Sequence, residues 1–505
     1  MTNTPPRTRE TATEAGRGIL RPDDTCWQIA TAGQVAVILD AADYFVILRD
    51  AIRKAQHNVL LIGWDIDTRI KLDPTTTQTG TDTEIHGPNK LGRFLRFVAR
   101  KNPSLEIHIL KWSLGVMLAL RPGSTAFDML GWILHPRVHF KMDSAHPAAA
   151  AHHQKVVVID DAIAFCGGID MLADRWDTSE HLDENPLRRR PTTNRSYGPW
   201  HDVTMVVSGD AAKALGDLAR DRWQRATGEV LTPPPPVDPH WPKGLAPLAQ
   251  NAPLAISRTM PALNGHPAVH EIEALYLAVI AATRRTLYIE SQYFASRKIA
   301  EAMATRLRED DGPEIVLINP QSADGWLEEA IMGSSRARLL HLIDQADRHG
   351  RFRMYTPVTT LRNPIYVHAK VLVMDDRLLR VGSSNLNNRS MGFDTECDLT
   401  LEADPADDGL RTRITGLRNH LLAEHLNVTD AEVVGAIKAQ GGSLIAAIEA
   451  LRSEGRSLTP FERPTLTEAE ANVLAENELF DPERPSRRNR ALHLSRWLPW
   501  VRNRT

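Results

Sequence analysis

The sequence predicts an α/β protein built from two copies of one unit, and three observations carry that prediction. First, AHHQKVVVIDDAIAFCGGID (151–170) and YVHAKVLVMDDRLLRVGSSN (366–385) follow one pattern: His-x-Lys, a mostly apolar run, Asp-Asp, then a turn of small residues ending in Asp or Asn. Second, AQHNVLLIGWDID (55–67) matches ATRRTLYIESQYF (282–294), each reading as a helix end, a buried strand and a polar exit. Third, short runs rich in Val, Ile and Leu alternate with helical patterns such as Ala211–Trp223 and Ala268–Ala282. Strands that are apolar on both faces belong in a sheet covered by helices on both sides.

Along the chain, residues 1–25 are polar and contain proline, which predicts a disordered tail. Residues 26–230 form the first unit. A linker follows over 231–255, opening near four consecutive prolines, and proline excludes both helix and central strand there. The second unit spans 256–428, and 429–505 is a helical, then polar, extension. Thr429 and Glu432 have capping-box spacing and predict a helix start. The last twenty residues mix six arginines with Trp497 and Trp500, a composition suited either to lipid headgroup depth or to packing on the body.

The 505 residues are 42% hydrophobic and 24% charged, as in a globular protein of more than one domain. A net charge of −3 gives no overall positive field to gather nucleic acid, so none is expected as a partner. Cys26, Cys166 and Cys397 are too sparse and too far apart for a disulfide framework or a zinc motif, and read as free thiols. The N-terminus lacks the apolar core of a secretory signal, and no stretch reaches the roughly 18–20 apolar residues that cross a bilayer. A cytoplasmic or peripheral membrane location is therefore expected, with signal-independent export left open.

A lone His-x-Lys at a strand end is usually a surface feature. Its duplication is not explained by packing. If the halves face each other, His153, His368, Lys155 and Lys370 converge as two imidazoles and two ammonium groups. That set suits a phosphate diester: the lysines hold the anion, one imidazole attacks phosphorus, and the other protonates the leaving oxygen. No metal-ligand cluster is visible along the sequence, so no metal and no cofactor are expected and the positive charge comes from side chains. A nucleophilic imidazole needs a carboxylate behind it. Glu396, downstream of His368, and Asp202, in the first half, are the candidates, aligned if about 21 extra residues lie between 170 and 202.

These residues resemble the phospholipase D superfamily, whose hallmark is two copies of HxKxxxxD. Both are present, as His153, Lys155, Asp160 and as His368, Lys370, Asp375, followed by Gly167-Gly168 with Asp170 and by Gly382-Ser383 with Asn385. The likeness covers about 26–425. GGIDMLADRWDT, PWHDV and YIESQYF are similar to segments of the eukaryotic-type phospholipase D branch, with Ser291 where that branch usually has Asn. A compact member of bacterial style is the expectation.

The resemblance implies two pseudo-symmetric α-β-α sandwich domains with the active site at their interface. It implies a covalent phosphohistidine that water resolves to phosphatidic acid, or that an alcohol resolves by headgroup exchange. His153 would be the nucleophile and His368 the general acid, then base. Lys155, Lys370, Asn385 and Ser383 would bind phosphoryl oxygens, with Asp170 among the supporting residues. Asp202 and Glu396 would back the histidines, and Asp160 and Asp375, part of the motif, would organise structure. The partner would be a phospholipid membrane surface, approached peripherally by a monomer, since one chain supplies both halves of the site. Rival readings are a phosphatidyltransferase like cardiolipin synthase, a nuclease, or a non-catalytic membrane-binding module.

Overall fold

A computed structural model describes residues 18–76, 87–113, 125–147, 150–322 and 326–462. The first half contributes β1 (Gln28–Leu39), β2 (Asn58–Gly63), β3 (Glu106–Trp112), β4 (Val138–Asp143), β5 (Val156–Ile159), β6 (Ile163–Gly167), β7 (Trp200–His201) and β8 (Val203–Gly209). The second half contributes β9 (Ala249–Met260), β10 (Val269–His270), β11 (Thr286–Glu290), β12 (Glu314–Ile318), β13 (Phe352–Val358), β14 (Tyr366–Val367), β15 (Val371–Met374), β16 (Leu378–Gly382) and β17 (Glu396–Glu402). A last strand, β18 (Ser457–Pro460), comes from the C-terminal extension.

The strands lie in the order β18-β13-β12-β11-β15-β16-β17-β9-β1-β8-β6-β5-β2-β3-β4, with β10 attached to β9. Read outward from the β9–β1 junction, each half repeats the same sequence of seven strands. The halves therefore join edge to edge through antiparallel β1 and β9, whose pairing runs from Gln28 opposite Ile256 to Val35 opposite Ala249. Joining the two edges removes a row of unpaired backbone groups from each half.

The helices of the first half are α1 (Asp40–Arg53), α2 (Leu91–Lys101), α3 (Thr125–Ile133) and α4 (Asp210–Thr227). Those of the second are α5 (Glu271–Ala282), α6 (Arg297–Leu307), α7 (Trp326–Ala346), α8 (Asn388–Gly392) and α9 (Asp408–Leu426), followed by α10 (Asp430–Ala439) and α11 (Leu444–Leu451). Phe45, Phe94 and Trp132 bury α1, α2 and α3 on one face of the first half, and Ile280, Met303 and Ile343 do the same for α5, α6 and α7 in the second. Between them runs a core shared by both halves, joining Leu60, Val158 and Trp223 to Tyr288, Val373 and Leu422. Fully apolar β5, β6 and β15 are buried along their length, as strands with helices on both faces must be. Local signals end the helices: α4 stops at Gly228 with φ 78°, and α10 opens with the Thr429–Glu432 capping box.

Several expectations need correction. Residues 18–25 of the expected disordered tail are packed: Ile19 and Thr25 are buried, Thr25 Oγ1 donates to Ile19 O, and Ser257 Oγ donates to Thr25 O. Residues 1–17 lie outside the described residues, as does the arginine- and tryptophan-rich stretch 486–505. The proline-rich linker does not run to 255, because its last seven residues already belong to central strand β9. Pro253 is tolerated because the ladder to β17 ends one residue away, at Leu254. The C-terminal extension is not only appended, since its strand β18 pairs with β13. The match of 55–67 to 282–294 is also one residue out of register. Asp160 accepts from the backbone N–H groups of 56–58 and Asp375 from those of 284–286, so Asn58 corresponds to Thr286.

The expected insertion is present. Gly168 N–H bonds Val203 O, 35 residues on, whereas the equivalent Ser383 N–H bonds Cys397 O, 14 residues on. The difference is 21 residues. The three cysteines are free and buried.

Candidate active site

Two short parallel pairings between the halves build the site. β7 lies beside β14, with His201 opposite Val367, so the next residues, Asp202 and His368, emerge together. On the other side an isolated parallel bridge joins His152 to Thr395, so His153 and Glu396 emerge together. The pseudo-symmetry thus crosses the carboxylates over. His153 Nδ1 lies 2.9 Å from Glu396 Oε2, and His368 Nδ1 lies 2.7 Å from Asp202 Oδ2. This corrects the pairing of each carboxylate with the histidine of its own half. With Nδ1 donating to a carboxylate, Nε2 carries the free lone pair.

The two carboxylates are supported differently. Glu396 accepts from Ser383 Oγ at 2.5 Å and from Ser390 Oγ at 2.7 Å. Ser383 is therefore engaged behind His153 and not free for a phosphoryl oxygen, a second correction. In the other half the equivalent position is Gly168, where a Cβ would meet Asp202 Oδ1 at 2.0 Å. Only glycine leaves room for that carboxylate to reach His368.

Lys155 Nζ lies 3.2 Å from Asp170 Oδ2 and the same distance from His153 O. Lys370 Nζ contacts His368 O and Gln292 Oε1, and Asn385 Nδ2 also points at that Gln292 oxygen. Asp170 and Asn385 thus hold equivalent places, one as an anion paired to its lysine and one as a neutral amide. Gln292 was not singled out from sequence, nor were Ser390, Arg175 and Trp200. Trp200 stacks on Tyr366, with centroids 4.4 Å apart, and carries the Arg175 guanidinium 3.9 Å above its ring. The only local signal for Gln292 is its place at the exit of β11, where polar residues follow a buried strand.

Asp160 and Asp375 stand at the far ends of β5 and β15, away from the imidazoles. Each collects three backbone N–H groups that open β2 or β11, at 2.7 Å for Asp160 and 2.8–3.0 Å for Asp375. The motif aspartates thus tie the far end of each motif strand to the backbone entering β2 or β11.

The electrostatics favour neutral imidazoles beside an anion site. Burial, then the Lys155 and Lys370 ammonium groups, hold His153 well below its ordinary pKa. Burial, then Lys370, Arg175, Lys155 and His153, do the same for His368. Both lysines thus bear on both histidines. Burial also pushes Lys370 down to about 7, Asp202 up to about 6 and Glu396 up to about 7.

The family model described as "Phospholipase D" matches residues 135–233, and that described as "Cardiolipin synthase, PLD-like domain" matches 276–415. Among curated relatives, phospholipase D A of Dictyostelium discoideum is 24% identical over 76% of this chain and 34% of its own length. Phospholipase D1 of Saccharomyces cerevisiae is 24% identical over 77% of this chain and 28% of its own. The chain thus spans about a third of the length of these relatives. Cardiolipin synthase of Geobacillus thermodenitrificans is 20% identical over 74% of this chain and 64% of its own. The fold is shared with the crystal structure of phosphatidylserine synthase from Haemophilus influenzae Rd KW20, with a TM-score of 0.50 and 14% identity over 83% of this chain and 97% of that one. Two intact motifs, two crossed histidine–carboxylate pairs and these matches lead to one conclusion: the chain belongs to the phospholipase D superfamily.

Proposed function

We propose that the protein is a phosphodiesterase of the phospholipase D type that cleaves phospholipids to phosphatidic acid and a free headgroup alcohol. The observation that carries the reading is the pair of imidazoles, His153 half-buried and His368 buried, both held below their ordinary pKa and each oriented by a carboxylate from the opposite half, with Lys155 and Lys370 beside them. His153 Nε2 attacks phosphorus and forms a P–N bond while the P–O bond to the headgroup breaks. His368 gives its proton to the departing oxygen, so it must enter the step protonated, a charge that the arriving phosphodiester favours. His368 then takes a proton from water, whose oxygen displaces His153 and restores the imidazole. Lys155, Lys370 and Asn385 hold the non-bridging oxygens, where charge grows in the transition state. The part played by His153 and His368 is assigned by exposure: the His153 side chain is 16% exposed and His368 5%, so His153 is the more open to an incoming phosphorus.

A lipid alcohol in place of water would make the same intermediate serve phosphatidyl transfer, a reading supported by the relatives named for cardiolipin synthase. We further propose that the chain meets its lipid at a membrane surface without crossing it, and acts as a monomer. Among the described residues no helix is long and apolar enough to span a bilayer.

Vesicles of phosphatidylcholine and mixed phospholipids, incubated with the protein and ethanol, test the reading by mass spectrometry of the lipids. Phosphatidylethanol formed by the native chain and absent with His153→Ala supports it. Lipids left intact while a nucleic acid is cleaved would overturn the choice of substrate. Cardiolipin formed in preference to phosphatidic acid would select the transferase.

A further inference from the structure

A second cluster of ionisable groups lies behind the catalytic pair, and no local sequence motif announces it. Asp40 opens α1, His181 sits in the 21-residue insertion, His201 lies in β7, and Glu424 lies near the end of α9. One ligand-competent atom from each of the four falls within 4.8 Å of the others. His201 Nδ1 is 2.8 Å from Glu424 Oε1 and 3.3 Å from Asp40 Oδ1, while His181 Nε2 is 3.1 Å from Glu424 Oε1 and 3.7 Å from Asp40 Oδ2. Four N and O ligands placed tetrahedrally at zinc-binding distance stand about 3.3 Å apart, a value that the separations of the two imidazoles from Glu424 Oε1 and from one or other Asp40 oxygen straddle.

Two further observations point to an ion rather than to an ion-pair network alone. His201 Nδ1 is fully buried and, among the described residues, has no hydrogen bond of adequate geometry, although two carboxylates flank it. The far nitrogen of each histidine is held by a separate carboxylate, His181 Nδ1 by Asp177 Oδ2 at 3.0 Å and His201 Nε2 by Glu290 Oε2 at 2.9 Å. That outer arrangement is what fixes the tautomer of metal-bound imidazoles. Charge agrees. Asp40, Asp177, Glu290 and Glu424 are four carboxylates, met by the guanidinium of Arg188 on Asp177 and that of Arg456 on the Glu424 carbonyl. Burial is outweighed by the surrounding carboxylates, which raise His181 to about 9 and His201 well above its ordinary value, so a cation entering the cluster would displace a proton from each imidazole.

We propose that this cluster is a structural zinc site, with His181 Nε2, His201 Nδ1, Asp40 and Glu424 as its ligands. The ion ties the insertion to both halves of the fold. It also positions the chemistry indirectly: His201 precedes Asp202, Asp40 Oδ1 accepts the Asp202 N–H at 3.2 Å, and Asp202 orients His368. No metal was expected from the sequence; these four residues lie far apart along the chain and meet only in the fold. The proposal stands apart from the phosphodiesterase reading, because its readout is metal content.

The full chain, produced in zinc-supplemented medium and purified without chelator, is assayed by mass spectrometry for metals. About one zinc per chain is expected, falling below about a tenth in His181→Gln with Glu424→Gln. Native chain loaded with cobalt(II) during refolding should show the intense visible bands of tetrahedral coordination, a readout that needs no variant to fold. Background zinc in the native chain, zinc retained in full by the double variant, or only the weak spectrum of octahedral cobalt would each overturn the proposal and leave an all-protein ion-pair network.

Discussion

Glu396→Gln isolates the effect of a carboxylate reaching across from the other half. Glu396 is wholly buried, and its two oxygens accept from His153 Nδ1, Ser383 Oγ and Ser390 Oγ. Glutamine keeps the shape but has one acceptor oxygen and an NH2 group. That NH2 can donate to Nδ1, which stabilises the tautomer with its proton on Nε2, the atom that must attack. Loss of a buried charge-assisted bond together with the wrong tautomer is worth about 4–5.5 kcal/mol of barrier, or roughly 10³–10⁴ in kcat. Headgroup release from phosphatidylcholine vesicles is the assay. KM should move less than about twofold, since uniform binding is untouched. The pH profile adds a readout that packing damage would not imitate. Burial raises Glu396 to about 7, so native kcat/KM should fall as pH drops through that value and the carboxylate takes a proton. The variant should lack this limb. A rate within about tenfold of native, or a raised KM with kcat intact, would refute the orienting role.

Ser383→Ala removes a donor to Glu396 and should lower kcat about tenfold with KM unchanged; a raised KM instead would restore the phosphate-binding role expected from sequence. Asp160→Asn weakens the acceptor for three backbone N–H groups and should destabilise the fold by about 2–4 kcal/mol in urea unfolding, while the folded fraction keeps native turnover. Lys370 is buried and its pKa is lowered to about 7, so its proton is disfavoured in the fold. Stability from this residue is full above the unfolded lysine pKa of about 10.4 and is lost as pH falls through 7. Lys370→Met should therefore unfold at higher temperature than native at pH 6, by a margin that shrinks toward pH 10, and should lose about 10²–10³ in turnover. An equal margin at both pH values would sink that account.

The motifs were legible because a duplicated His-x-Lys pattern is local, and so were the α/β alternation, the insertion and the Thr429 cap. All but the insertion depend on residues a few positions apart, where strand and helix periodicity acts directly, and the insertion shows once the two repeats are aligned. The engaged state of Ser383 was not legible, since a hydroxyl after glycine suits a phosphate as well as a carboxylate. Neither was Gln292, because a polar residue leaving a strand has no signature until Lys370 and Asn385 are seen to share its oxygen.

The sequence by itself put forward the candidate reacting groups, two histidines, two lysines and two acids, with the aspartates of the motifs at the far strand ends. Only the tertiary structure decided who serves whom. Glu396 is 243 residues from His153, and Asp202 is 166 from His368, and no periodicity spans such distances. The pairing is set by the β7–β14 ladder and the His152–Thr395 bridge, which lay a strand of one half beside the other half's motif. The same contact between halves brings Asp40, His181, His201 and Glu424 together. Both outcomes arise because backbone hydrogen bonds across the junction, not the side chains they carry, choose the neighbours.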